Sequence, residues 1–294
     1  MADGNGGEIF SEMITILECL PSENNNAVAA TRRYAALLFL FTISVSCADA
    51  STDFSGKATQ ALPPLAEPSQ KIPLGEKLVY DVSWMGVPVG FGELEVKEKT
   101  ELNGRAVYHV VATAGTNHFL SKLYPVRDEV HSWVDAQTLQ SLQFEKKVNE
   151  GFYRAEERVR YDAAKKKGFY ESLKNGSKKE FDVSVPVHDV ISAFYWVRRQ
   201  ALVPGGSVKT TVNNGEKDYG LEVSVLRREA KELRDGGVLD TLLIEPRTRL
   251  KGMLDKRGRV WIHLKNDAAR TPVWITFKTP FGPVVGVLKQ DQAG

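Results

Sequence analysis

The sequence predicts an all-β protein: a single antiparallel, strongly curved sheet of about thirteen strands, a barrel or half-barrel, with one amphipathic helix over 189–202 packed on or in it. Three observations carry this. From residue 73 onward, short runs alternate apolar and polar residues and follow one another at hairpin spacing. Asn-Gly pairs, the strongest two-residue hairpin signal, stand between such runs at Asn103-Gly104, Asn175-Gly176 and Asn214-Gly215. A helical apolar period appears over 189–202, with a shorter helix or turn near 117–123 stopped by Pro125.

Taken in order, Leu78, Tyr80, Val82 and Trp84 form the apolar face of the first strand. Residues 85–89 turn the chain, and 90–97 return it with Leu94 and Val96 on the same face. Strands follow over 106–114, 126–134 and 139–148. In 153–162, Tyr153, Ala155, Glu157, Val159 and Tyr161 face one way, and Arg154, Glu156, Arg158 and Arg160 face the other, which must be solvent. Hairpins then pair 168–173 with 177–183 and 207–212 with 217–226. Strands over 238–246, 259–265, 272–278 and 284–288 complete the series.

The helix is expected to start at Asp189, whose carboxylate can accept the free N–H groups of the first turn. Val190, Phe194, Val197 and Ala201 fall in one arc with Ala193 beside them, and Ser192 and Arg199 fall opposite. Pro204-Gly205-Gly206 ends it.

Three segments precede or make up the domain. Residues 1–50 read as an N-terminal extension and secretory signal: Arg32 and Arg33, an apolar run over 35–46, then Ala48-Asp49-Ala50 as the cleavage site. The run is too short for a transmembrane helix, which needs about 20 residues. The acidic residues before Arg32 are wrong for a signal and favour a start at Met13 or Val28 over Met1. Residues 51–72, rich in Ser, Pro and Ala, read as a flexible linker, and 73–294 as a single β-barrel-like domain. Both cysteines, Cys19 and Cys47, lie in the leader, and Ser44-Val45-Ser46 is a poor lipobox, so lipidation of Cys47 is the weaker outcome. Loss of residues 1–50, with six acidic and two basic residues, raises the net charge from +2 to +6. The expected address is the periplasm, with no transmembrane helix and no nucleic acid as partner.

Several stretches together resemble an exported bacterial family, domain of unknown function 3108, over roughly residues 73–290. They are Gly75-Glu76-Lys77-Leu78-Val79-Tyr80-Asp81-Val82, Arg127-Asp128-Glu129 with Trp133-Val134-Asp135, and 142–147, LQFEKK. The series continues with 189–196, DVISAFYW, then Gly258-Arg259-Val260-Trp261-Ile262 and Phe281-Gly282. Val190 stands where the family usually has Pro. The resemblance implies export from a Gram-negative-type cell and a fold loosely like the half-barrels that carry lipoproteins across the periplasm. It implies no activity.

No catalytic, phosphate-binding or cofactor motif is present, so no catalytic residue and no cofactor is expected. The five histidines are scattered, with no two at ligand spacing, and no metal is expected. His188-Asp189 is the best local acid–base pair, but a cap at a helix N-terminus should have a lowered pKa and a structural role. Glu157, on the apolar face of its strand, needs a partner, with Lys146, Lys147 or Arg127 available for an internal ion pair. Apolar residues on both faces of 273–277 and 284–288 suggest a cavity, lined by Trp84, Phe194 or Trp196, for a lipid or other amphipathic envelope molecule. The alternatives are an envelope assembly partner with no small ligand and, third, an enzyme acting on polysaccharide, which would need two converging carboxylates.

Overall fold

The computed structural model describes residues 64–69, 71–233, 236–249, 259–279 and 281–292. The leader, the cleavage site and Cys47 lie outside the described residues. The first half of the sheet comprises β1 (Lys77–Trp84), β2 (Val87–Leu102), β3 (Arg105–Thr116), β4 (Arg127–Asp135), β5 (Ser141–Glu150), β6 (Tyr153–Asp162), β7 (Lys167–Ser172) and β8 (Lys178–Asp182). The second half comprises β9 (Ser207–Asn213), β10 (Asp218–Glu232), β11 (Val238–Arg249), β12 (Arg259–Lys265), β13 (Pro272–Thr279) and β14 (Gly282–Gln292). These fourteen strands match one for one the runs read from the sequence, whose total comes to fourteen rather than about thirteen, and ladder bonds run on past the apolar positions into polar tails such as Glu98–Leu102.

All fourteen lie in one antiparallel sheet, ordered β8 to β1 and then β14 to β9. Every strand but β8 pairs with its successor, and the first and last strands pair with each other, Tyr80 opposite Leu288 and Trp84 opposite Val284. This is the connectivity of an up-and-down barrel left open between β8 and β9. The tight turns follow the sequence signals: Asn103 and Gly104 both take positive φ (53° and 77°), the pair of left-handed residues that a type I′ hairpin demands. Met85 and Gly86 do the same (49° and 84°), so β2 begins at Val87 rather than after a longer loop.

The opening is filled by the connection from β8 to β9, which carries α1 (Val190–Arg198). Val187 O accepts from the Ser141 amide at 3.0 Å and His188 O from the Asn213 amide at 2.7 Å, so the strand-like lead-in spans β5 and β9. Tyr161 donates to Asn213 Oδ1 at 3.1 Å, and the Ser184 amide donates to Asp218. Inner residues Val110, Val130, Phe144, Val159 and Tyr161 pack with Val187, Ile191 and Tyr195 on one side of the helix. Val197 and Leu202 pack with Val223, Leu242 and Leu264 on the other.

The helix is shorter than 189–202, because Gln200 N bonds Val197 O in a tightened last turn and Leu202 then drops into the core. Its buried face also differs from the expected arc. Ile191, Ser192, Ala193, Tyr195, Val197 and Arg198 are buried, whereas Phe194 is half-buried and Ala201 exposed. The reason is polar: Ser192 Oγ bonds Asp189 O at 3.1 Å, and Arg198 meets a carboxylate that apolar periodicity cannot reveal.

That carboxylate is Glu76, just before β1. Arg198 holds it bidentately, Nη1 to Oε2 at 2.8 Å and Nη2 to Oε1 at 2.5 Å, and Tyr195 donates to Oε2 at 2.9 Å. Arg198 Nε donates to Ala269 O at 2.9 Å. Burial alone would lower the Arg198 pKa, and the Glu76 carboxylate more than reverses it. The end of the supposed linker is held here too. Ile72 and Leu65 join the core, Ser69 N bonds Ala268 O at 2.7 Å, and Arg270 Nη2 bonds Ala66 O at 2.8 Å. Residues 64–69 and 71–72 are therefore docked rather than free, because their few apolar side chains find core positions.

A buried pair broken on one side leaves an unpaired charge, which costs about 3–5 kcal/mol. Glu76→Gln and Arg198→Met should each lower stability by about that much, and the double variant by clearly less than the sum. Urea unfolding of the four proteins reads this. Additive losses would mean that the pair does not anchor the helix.

Candidate functional site

The three aromatic residues expected to line one cavity are not brought together. Trp84 packs at the turn end of the sheet with Val82, Val89, Val126 and Phe277, and its Nε1–H donates to Phe281 O at 3.0 Å. Phe194 and Trp196 belong to the packing around α1. Beside the helix, the space bounded by Ile72, Tyr195, Arg198 and Ala269 is about 10 Å³, at most the room of a single water.

Asp189 caps α1 as expected, accepting from Ser192 N at 2.8 Å, but its electrostatics are the reverse of the expectation. It is fully buried, and that burial raises its pKa despite the Ser132 hydroxyl, which donates at 2.6 Å, and the Ser192 amide. Loss of water outweighs the helix terminus. His188 is equally buried, its Nδ1–H donating to Leu139 O at 3.0 Å, and burial pushes its pKa down to about 4. Both residues stitch α1 to the sheet, out of reach of a substrate.

Glu157 faces inward and half-buried, opposite Lys146 and Ser172 in the ladders. Tyr170 donates to it, and burial with that carboxylate raises the tyrosine pKa. Lys147 and Arg127, the other proposed partners, are exposed on the outer face. Two further arrangements escaped sequence reading. His109 and His131 meet across β3 and β4, Nε2 to Nδ1 at 2.9 Å, stacked with Trp133, and His131 Nε2 reaches Glu129 Oε1 at 2.6 Å. Asp128, near the start of β4, is buried, accepting from Asn149 N at 2.6 Å, and burial raises its pKa. Among the described residues, no group of three or more His, Cys, Asp or Glu is placed to hold a metal.

The surface that stands out is the end of the sheet formed by the β1–β2, β3–β4, β5–β6 and β13–β14 connections. They are tied side by side. Met85 N bonds Pro283 O at 2.9 Å, Asn117 Nδ2 bonds Pro88 O at 2.8 Å, and Gly151 N bonds Pro125 O at 2.8 Å. Between β3 and β4 the chain makes a 3-10 turn over Leu120–Lys122, with Leu120 and Tyr124 packed inward. Turn tips therefore point outward, and they are apolar: Met85, Val87, Phe119 (72% exposed), Leu123 (70%), Phe152 (fully exposed), Tyr153 and Phe281. Next to them a groove of about 420 Å³ is lined by Pro125, Arg127, Glu129, Lys147, Asn149 and Arg154.

The His188 shift has a testable sign. Its folded pKa lies below the unfolded value of about 6.5, so stability falls as pH drops from about 6.5 toward about 4, by about 3 kcal/mol in all. Asp189, raised in the folded state, works in the opposite direction, but it is common to wild type and to His188→Gln. The stability difference between these two proteins should therefore change by about 3 kcal/mol across that window in urea titrations. A pH-independent difference would contradict the buried neutral imidazole.

A crystal structure of a beta-barrel-like protein of domain of unknown function DUF1849 from Brucella abortus shares this fold. Its TM-score is 0.51 at 8% identity, over 76% of this chain and 98% of that one. A Bacteroides fragilis protein with a YmcC-like fold aligns over 78% of this chain and 99% of its own, at 11% identity and a TM-score of 0.27. None of the curated proteins matches the chain in sequence. Residues 79–289 match the family model described as protein of unknown function, DUF3108, and the chain belongs to that family.

Proposed function

We propose that this is an exported, non-catalytic envelope protein that binds amphipathic anionic lipid, and that it does so with the apolar turn end rather than in a cavity between sheet and helix. The supporting observation is the row of exposed Phe119, Leu123, Phe152 and Tyr153 standing beside the exposed cations Lys122, Arg127, Lys147 and Arg154. Exposed apolar patches of this kind are uncommon on proteins that meet only water. Each aromatic or Leu side chain sunk into a lipid interface gains about 1.5–3 kcal/mol, and each cation near an anionic surface about 1 kcal/mol. Apolar tips and a basic flank are the combination that interfacial anchors use. The helix side offers no comparable surface, since Glu76, Tyr195 and Arg198 fill it. Among the described residues no helix is long and apolar enough to cross a membrane.

Co-sedimentation with vesicles tests this. The purified protein should bind phosphatidylglycerol-containing vesicles, bind phosphatidylcholine vesicles far less, and lose affinity as salt rises. Phe119→Ser with Phe152→Ser should weaken binding tenfold or more. Absence of binding to phosphatidylglycerol vesicles at low ionic strength would overturn the proposal, leaving the patch to a protein partner.

A further inference from the structure

We infer that the groove between β4, β5 and β6 is a discrete phosphate-binding site, shaped for the phosphate of an acidic lipid headgroup. It rests on the docking function proposed above and makes it specific: lipid is recognised one headgroup at a time, beside the inserted aromatic tips.

Strand parity sets which side chains meet in the groove. In β4 and β5 the residues facing the core are Val130, Val134, Phe144 and Val148, so Arg127, Glu129, Lys147 and Asn149 face outward on adjacent strands. Glu129 lies directly opposite Lys147 in the ladder, and Asn149 opposite Arg154 across β5 and β6. The three cations thereby converge on one groove. No carboxylate among the described residues lies within ion-pair distance of any of them, and only the buried Asp128 is near enough to Arg154 to feel its charge, although neighbouring cations on the same outer face are paired. Arg158, for example, holds Glu145 at 2.6 Å, and Lys178 holds Glu171 at 3.1 Å.

The carboxylate in the groove does not neutralise them. Glu129 Oε1 is engaged by His131 at 2.6 Å, which draws it along β4. The groove floor is fixed. Asn149 Nδ2 donates to Arg127 O at 3.1 Å, and Arg154 Nη1 donates to Gly151 O at 2.9 Å and Tyr153 O at 2.7 Å, while its Nε and Nη2 carry no hydrogen bond among the described residues. Two guanidinium groups and an ammonium supply more N–H donors than a carboxylate can use. A tetrahedral phosphate, with oxygens directed several ways, accepts from all three. A volume of about 420 Å³ holds a phosphate with its glycerol easily.

Two-dimensional amide NMR of the purified protein, titrated with glycerol 1-phosphate and separately with inorganic phosphate, tests this. The expected result is saturable shifts confined to the amides of Arg127, Lys147, Asn149, Gly151 and Arg154. Arg127→Gln or Lys147→Gln should weaken binding tenfold or more, whereas Lys71→Gln, which removes the same charge elsewhere, should leave it unchanged. Stronger binding of glycerol 1-phosphate than of phosphate points to a headgroup, and equal binding to free phosphate as the source. If vesicles bind but neither soluble ligand gives saturable shifts, the site is refuted while docking stands. If the soluble ligand saturates the groove but vesicles stay unbound, the site stands and docking falls.

Discussion

A single sheet of fourteen strands has two free edges, and covering them is the constraint on which the rest of this molecule depends. An uncovered edge is a row of unpaired N–H and C=O groups ready to add a foreign strand. β8 and β9 come near each other in the curl, with Lys179 of β8 reaching Glu216 in the β9–β10 turn at 3.4 Å and Tyr161 of β6 reaching Asn213 of β9, yet they do not pair. The intervening chain spans the opening instead, with backbone bonds from Val187 to β5 and from His188 to β9, and α1 laid inside. A helix in that place must bury polar groups, and each is answered. Asp189 accepts from Ser132 and Ser192, and Arg198 donates to Glu76. Such a pair is weak evidence for stability compared with an apolar substitute, but it fixes one position of the helix against β1.

Much of this architecture was legible locally. The Asn-Gly turns, the alternating strands and the Asp189 cap each depend on a few adjacent residues and on backbone preferences. What failed depends on distance. Glu76 and Arg198 stand 122 residues apart, and Glu76 lies in the lead-in to a strand, where no periodicity marks it as buried. Without Glu76, Arg198 and Tyr195 read as flanks of an apolar arc, and the arc itself was drawn through Ala201, which is exposed. The helix terminus, visible in sequence, predicts a lowered pKa for Asp189, whereas the burial that overrides it is not visible there.

The candidate surface was less legible still, for a topological reason. Phe119, Phe152 and Phe281 lie in three separate connections, and nothing local tells whether successive turns fall at the same end of a sheet. Strict next-neighbour pairing supplies the answer, since alternate hairpin turns must then share an end, and the β1–β14 pairing brings the last of them beside the first. The same rule brought His109 to His131, two residues that looked scattered in the chain.

The two ends of the shell thus carry different burdens. At one, the start of β1, the β12–β13 turn, residues 64–72 and α1 are consumed by closure, with Glu76, Arg198 and Arg270 all buried. Substitution there acts first on folding. At the other, the turns are held by backbone bonds whose donors and acceptors do not involve the exposed side chains of Phe119, Leu123 or Phe152. Those side chains are therefore free of structural duty, and a large apolar group fully in water stabilises nothing in the isolated molecule. Their cost in solubility is unexplained by the fold, and the proposed docking on a lipid surface supplies a reason for it.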